Sequence, residues 1–570
     1  MNNQTRFLVT IFLSALASLG LGYFFDVKEW ILYVFIFLVG VIAIHFVNKN
    51  LSTYTIGNYI IISLFSIFLL VSTKGEQLLL QGNHFILYLL VFLLGFIYVN
   101  FILLAILTIV LRYKVESKEL EISKFRILIY GLPTILIAPL YLIAFFPGVL
   151  TPDSFAQWGQ AHGAPYNNWH PLMYTLLIET LIQIIDSPAI VAGFQILLMV
   201  LIFGYCLYRF ELRGVPRKIL YIVAIVLALL PMNGIYSVTV WKDILYNLFL
   251  LLFTMNIIEM VLSKGRWISK SGNISVFIFS SLGLIFFRHN GFPVFLVFSM
   301  FLFLAYWRQW KQLLPITLSI VIVHSIYTGP IFEALKVRDS DPNELLSIPS
   351  QQLANVIVHD GIMTEGQKNY INEIFPLAMW KEYYHPYTSD PIKFSDEYNR
   401  EAIFPNRFNE YLKVWWSVSL QNPTLVIDAF VKQTSIVWQI NEPEGLGQQS
   451  TYVTYIHENK YGIERITVSE NIRNMMTEYL EVSKTEGVVK MVIWRPALHM
   501  FIALYFGYIA YLRFGMKSLL VLLPFMLNIM SIFVAVPAQS YRYLYGTTLV
   551  MVIIILYSFL SEKEKSKNVS

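Results

Sequence analysis

Cysteine is almost absent from this chain, and charge is scarce. The single cysteine, Cys206, lies inside an apolar run, which excludes a disulfide framework and a cysteine-based metal site. Charged residues make up only 14% of 570 positions against 56% hydrophobic, a balance that no soluble globule of this length adopts. The net charge of +5 is small, and Lys and Arg sit in short clusters between apolar segments, which argues against nucleic acid as a partner. A ladder of carboxylates within the apolar runs, as in an ion-coupled pump, is missing. Gly/Pro-broken segments in two matching halves are also missing, which weighs against a secondary transporter.

What is plentiful is apolar length. A membrane-crossing helix needs roughly 20 mostly apolar residues, and fourteen stretches are read as spans: 7–25, 30–47, 54–72, 85–111, 127–146, 188–208, 219–238, 242–262, 274–289, 291–306, 314–330, 495–512, 518–536 and 543–560. The first has no clear small-x-small cleavage site before Asp26 and is read as a retained helix rather than a signal peptide. Lys and Arg collect at 112–126, 209–218, 264–270, 307–311, 513–517 and 562–567. Placing all of these clusters in the cytoplasm, with both termini, gives one consistent threading, provided that Leu172 to Ile185 does not cross. That stretch has 14 residues, carries Glu179 and Gln183, and suits a helix lying in the outer interface.

The threading sends the unusual polar residues to one face. Asp153, after Thr151-Pro152, either caps a short helix or serves in a low-dielectric crevice as a general base or a ligand to a metal ion. His170 either stabilises its junction with Pro171 or contacts a phosphate or sugar. The spacing of His162 and His170 fits no standard zinc motif. Lys242 and Asp243 open a span as Trp241-Lys-Asp, and the choice lies between an interfacial anchor and a functional pair. Arg288, followed by His289 and Asn290, stands where the positive-inside rule disfavours it, and Arg542, between Tyr541 and Tyr543, repeats the pattern. Guanidinium groups suit phosphate oxygens, and lipid headgroups are the alternative ligand. The segment from about 331 to 490 has ordinary polarity and enough length for a core of its own. Helix-like apolar spacing at 343–358 and 409–420 predicts a mostly helical fold for it.

Phe146-Pro-Gly-Val-Leu-Thr-Pro-Asp153-Ser154 and Trp169-His170-Pro-Leu-Met-Tyr174 resemble the acidic element and the His-Pro-Pro-Leu-Tyr-like element of the GT-C superfamily of integral-membrane glycosyltransferases. The likeness is to the bacterial protein-mannosyltransferase-like and aminoarabinose-transferase-like branch. Leu172-Met173 replaces Pro-Leu in the second element, and Ser154 stands where a second acid is common. The resemblance covers about 127–560.

It implies an extracytoplasmic active site in a bacterial plasma membrane and a sugar donor on undecaprenyl-type polyprenyl phosphate. Asp153 would deprotonate an acceptor hydroxyl that attacks the anomeric carbon with inversion. Arg288, Lys242 and Arg542 would stabilise the leaving phosphate, with His170 on the phosphate or the acceptor. Trp158 and Trp169 would stack on a sugar or anchor the loop, and Asp243, His289 and Tyr541 would complete the substrate site. No cofactor is required by these residues, and a divalent metal is left open. The acceptor would be a cell-envelope glycan, a glycolipid or a protein. The alternative is a transporter or flippase of lipid-linked glycans, which would not need Asp153 as a base.

The expected architecture is an all-α polytopic membrane protein of about fourteen transmembrane helices, with interfacial helices in the first catalytic loop. It comprises a four-span module with its cytoplasmic linker at 1–126, a catalytic membrane core at 127–330 with its loop at 147–187, a mostly helical extracytoplasmic segment at 331–490, and three spans at 491–570.

Overall fold

A computed structural model describes residues 3–24, 30–50, 54–80, 85–340, 342–443, 446 and 451–561. It is an all-α structure; the one paired ladder among the described residues is a parallel contact of Val115–Glu116 with Leu560–Ser561. The chain opens with α1 (Asn3–Phe24), α2 (Trp30–Lys49), α3 (Ile56–Leu80) and α4 (Phe85–Arg112). These four share a buried core, completed by Phe501, Tyr505 and Ile509 from near the C-terminus.

The central layer runs through α5 (Arg126–Ala144), the short α6 (Pro152–Ala161) and α7 (Leu172–Ile182), then α8 (Pro188–Leu212), α9 (Arg217–Leu229), α10 (Pro231–Val238) and α11 (Lys242–Leu262). It continues in α12 (Ser271–Phe286), α13 (Gly291–Ala305) and α14 (Trp310–Ile326). Helix α11 is enclosed along its entire apolar window and forms the axis of the molecule. Small residues let its neighbours close up: a Cβ at Gly131 of α5 would lie 2.7 Å from Cγ1 of Val200, and one at Gly204 of α8 would collide with the carbonyl of Ile127. Such seams are how apolar helices gain contact where surrounding lipid offers no hydrophobic incentive.

The following segment holds α15 (Phe332–Ala334), α16 (Ser347–Val358), α17 (Glu365–Ile374), α18 (Leu377–Tyr383), α19 (Asp390–Lys393), α20 (Phe408–Gln421), α21 (Pro423–Gln433), α22 (Ser435–Trp438), α23 (Glu470–Ser483) and α24 (Val488–Trp494). Residues 346–418 of it have a separate core, built around Trp380, Ile371, Ile392 and Tyr411, whereas Ile436, Leu480 and Trp494 of α22–α24 join the main core. The apolar spacing at 343–358 and 409–420 emerges as α16 and α20. The chain closes with α25 (Pro496–Phe514), α26 (Leu523–Ala535) and α27 (Tyr545–Phe559).

Among the described residues, nine helices are long and apolar enough to cross a membrane, or ten if one bent pair counts as a single crossing. The further stretches expected as spans near 7–25, 274–289, 291–306 and 518–536 form shorter apolar helices, Leu8–Gly22 within α1, and α12, α13 and α26. The bent pair corrects a second expectation. Residues 219–238, expected as one span, form α9 and α10, which meet at 55°. Pro231 supplies the reason: it has no N–H for the preceding turn, and it pushes Leu230 to an extended ψ of 122°. The stretch from Leu172 gives only the 11-residue α7, short of a crossing.

Candidate active site

A small backbone zipper assembles the site. Val149 pairs with Thr239 through that residue's two neighbours, with Val149 N–H donating to the Val238 carbonyl at 2.9 Å and Val240 N–H to the Val149 carbonyl at 3.0 Å. Pro152 sets the first turn of α6, and Ser154 Oγ accepts the Thr151 N–H at 3.0 Å while donating to the Val240 carbonyl at 2.8 Å. Trp241 Nε1 donates to Thr151 Oγ1 at 2.8 Å. The start of α6, with Asp153, is thereby laid beside the start of α11, with Lys242 and Asp243. Gln195 of α8 holds the α10–α11 junction by donating to the carbonyls of Ser237 and Thr239 at 3.1 and 2.9 Å.

Arg542 arrives from the far end of the chain on the turn Tyr541–Leu544. Asn247 of α11 fixes that turn: its Nδ2 donates to the Arg542 carbonyl at 3.1 Å, and its Oδ1 accepts the Gly546 N–H at 2.9 Å. Gly546 is required there, since a Cβ would approach Asn247 Oδ1 to 2.5 Å. Arg288 comes from the α12–α13 turn.

These groups interlock. Arg542 Nη1 lies 2.9 Å from Asp153 Oδ2, and its Nη2 donates to the Tyr543 hydroxyl at 3.2 Å. Arg288 Nε lies 3.3 Å from Asp243 Oδ1 and its Nη1 donates to the Tyr543 carbonyl at 3.4 Å. Both guanidinium groups also face aromatic rings, Arg542 over Trp241 at 4.6 Å and Arg288 over Tyr543 at 5.2 Å. Lys242 Nζ is 2.8 Å from His170 Nδ1, so the imidazole accepts there and presents Nε2–H towards Asp153, 4.0 Å away.

Burial opposes charge on Asp153, but Arg542, Lys242 and His170 outweigh it and hold the carboxyl well below the usual carboxylate range. His170 is driven to about 3 by burial and by Lys242, and is neutral across the physiological range.

Two adjoining cavities meet at this cluster. One, of about 330 Å³, is lined by Asp153, His170, Lys242, Asp243, Arg288, His289, Arg542 and Tyr543, with Ile532, Ala535 and Val536 as an apolar wall. The other, of about 910 Å³, opens between α6 and the 331–490 segment and shares Asp153, Trp169, His170, Arg542 and Tyr543. Polar capacity is left over: neither oxygen of the buried Asp243 carboxylate accepts a hydrogen bond, and Arg542 Nε donates none. Lys242, Arg288 and Arg542 set three cations against Asp153 and Asp243, leaving one positive charge unbalanced while both histidines are neutral; Asp390 on the rim is paired with Lys393 at 3.6 Å. That excess charge favours an anion in the cavity.

A divalent cation does not fit this donor set, because each carboxylate already faces a guanidinium. Among the described residues, no group of three His, Cys, Asp or Glu side chains gathers to hold a metal.

Of the residues singled out in the sequence, Asp153, His170, Lys242, Asp243, Arg288, His289, Arg542 and Trp169 all line the cavities. Two do not. Trp158 is packed into the core below α6, with its ring 4.8 Å from that of His162. Tyr541 is enclosed, its hydroxyl bonded to Thr548 and its ring against Trp494. Gln351 and Gln352 of the 331–490 segment are buried, with Gln352 accepting from Trp415 at 2.8 Å, and Tyr384 donates to Asn355 at 2.8 Å. Sequence reasoning overlooked Tyr543 as a cavity residue and Asn247 as its support; an Asn one turn into an apolar helix was the available signal.

A family model matches residues 160–570, nearly three quarters of the chain. The chain belongs to DUF6020, a family of unknown function. The DUF6020 match takes in His170, Lys242, Asp243, Arg288 and Arg542, begins seven residues past Asp153, and leaves α1–α4 outside. No curated protein and no solved structure matches the chain.

Proposed function

We propose that this DUF6020 protein is a membrane glycosyltransferase that moves a sugar from a polyprenyl-phosphate donor to an acceptor at the extracytoplasmic face of a bacterial plasma membrane. The observation that carries the reading is the unbalanced positive charge of Lys242, Arg288 and Arg542 around a cavity with one apolar wall, set beside a carboxylate at the mouth of a second, larger cavity.

In this reading the donor phosphate lies against Arg288 and Arg542, and its hydrocarbon chain runs along the Ile532–Val536 wall. The acceptor enters from the larger cavity. Its hydroxyl proton passes to Asp153, its oxygen attacks the anomeric carbon from the side opposite the phosphate, and the carbon–oxygen bond to the phosphate breaks. The charge returned to the phosphate oxygen meets preorganised cations in a low-dielectric site. Asp153 as found is a poor base, because Arg542 stabilises its ionised form. A phosphate competing for Arg542 weakens that hold and moves the carboxylate towards useful basicity. His170, neutral and oriented by Lys242, offers Nε2–H to the acceptor. Asp243, ion-paired with Arg288 through Oδ1, has Oδ2 left to accept from a sugar hydroxyl.

Export or flipping of a lipid-linked glycan is the second reading, favoured by the break between α9 and α10, since discontinuous helices recur in transporters. One substitution separates the two. Asp153→Asn in purified protein in lipid should lower transfer by about a hundredfold or more and still bind donor; unchanged turnover would remove Asp153 as the base, and intact glycan translocation without transfer would favour the second reading.

A further inference from the structure

The 331–490 segment carries an apolar face that its own core does not use. Helices α20 and α21 form a hairpin closed by Asn422, whose side chain accepts the Ile362 N–H at 2.7 Å. Tyr411 and Val418 of α20 point into the segment's core, and Ala429 of α21 is buried. The opposite stripes show Trp416 and Leu420, four apart, and Ile427 and Val431, four apart. Trp416 is 58% exposed, and Ile362 beside the hairpin turn is exposed as well. Five large apolar side chains around one hairpin are more than a water-facing surface carries by chance.

The position of the hairpin says what covers them. Phe430, next to Val431, stacks on Phe533 of α26 with ring centroids 6.2 Å apart, and Gln433 Nε2 donates to the Val536 carbonyl at 2.8 Å. Helix α26 ends at Ala535, so at 1.5 Å per residue Phe533 lies about 3 Å inside that end. Val534 of α26, 71% exposed, and Met530 continue the apolar surface down the helix. The exposed face of the hairpin is therefore level with the end of an apolar helix whose own exposed side chains it extends.

We propose that the α20–α21 hairpin lies in the outer leaflet of the bilayer as an interfacial anchor, with Trp416 at headgroup depth and Leu420, Ile427 and Val431 among the upper acyl carbons. A Trp and aliphatic side chains on one face of paired amphipathic helices is the composition such anchors use. The anchor fixes the 331–490 segment over the larger cavity, and it holds whether or not the protein transfers sugar.

The native Cys206 is buried in the core, so a single introduced cysteine can be labelled selectively on the folded protein. Trp416→Cys, Ile427→Cys and, as a control on the same segment, Lys368→Cys would each carry an environment-sensitive fluorophore in full-length protein. The proteins would be reconstituted into phosphatidylethanolamine–phosphatidylglycerol vesicles, and retained folding checked by size exclusion and thermal unfolding. Probes at 416 and 427 should be quenched by lipids spin-labelled near the headgroup at least twofold more than the control, and by aqueous iodide at least twofold less. Quenching by iodide as strong as at 368 would overturn the proposal, and so would protection from both quenchers, which would mean that protein covers the face.

Discussion

At the residue scale the account rests on which charges face which. Arg288 reaches Asp243 through one 3.3 Å ion pair, donates to the Tyr543 carbonyl at 3.4 Å, and lines the cavity. Arg288→Ala is expected to reduce transfer about a hundredfold, with a smaller loss in donor binding, because its contact strengthens as charge grows on the leaving phosphate. Isotopic transfer assays and donor titration measure the two effects separately; equal losses in both would assign Arg288 to ground-state binding. Acid should weaken the fold in a defined window. The unfolded chain takes up a proton on His170 below about pH 6.5, and the folded chain does not until about 3, so stability falls as pH drops from about 6.5, by at most about 1.4 kcal/mol per unit. Asp153 acts in the same direction further down: its depressed carboxyl stabilises the fold above the unfolded carboxylate range, and that stabilisation is lost as pH falls through it. Thermal unfolding in detergent between pH 4 and 7 should show the slope, and His170→Gln should flatten its upper part.

At the scale of elements, the chain's apolar lengths and its polar junctions were legible to different degrees. The runs that became α5, α8, α11, α25 and α27 announced themselves, because nothing but a helix satisfies the backbone over such apolar lengths. The kink at Leu230 was also written in the sequence as Pro231, but an apolar run that continues past a proline reads as one span when composition alone is weighed. Aromatics near the boundaries misled for a similar reason. Trp158 falls on the same stripe of α6 as Ser154, Phe155 and Ala161, which is its buried face, whereas Trp169 lies in a loop and is left facing the cavity. Two supports of the site were invisible without contacts, the Val149–Thr239 zipper and the grip of Asn247 on the Arg542 turn. Asn247→Leu should strip the Gly546 N–H and the Arg542 carbonyl of their partner, costing about 1–3 kcal/mol and abolishing donor binding. Gly204→Ala should destabilise through the α5–α8 seam by about 1–3 kcal/mol with donor affinity of the folded fraction unchanged. Thermal unfolding with ligand titration distinguishes them; an Asn247 variant that binds donor normally would show that the turn holds itself.

At the scale of the whole molecule, one end of a buried axial helix collects what the rest of the chain supplies: Asp153 from α6, Arg288 from the α12–α13 turn, and Arg542 from beyond the 331–490 segment. Residues nearly 400 positions apart thus meet around Lys242 and Asp243, which is why the sequence yielded the members of the cluster but not their pairing. The same convergence gives the site its two cavities, one beside an apolar wall and one beneath the 331–490 segment, which the proposed lipid-borne donor and water-borne acceptor would occupy. The direct test is sugar transfer by the purified wild-type protein in vesicles, supplied with radiolabelled polyprenyl-phosphate sugars and cell-envelope extract. The account predicts label on an envelope acceptor in inverted anomeric configuration, with polyprenyl phosphate released in equal amount. No transfer from any donor, with label instead appearing intact on the opposite side of the bilayer, would contradict it.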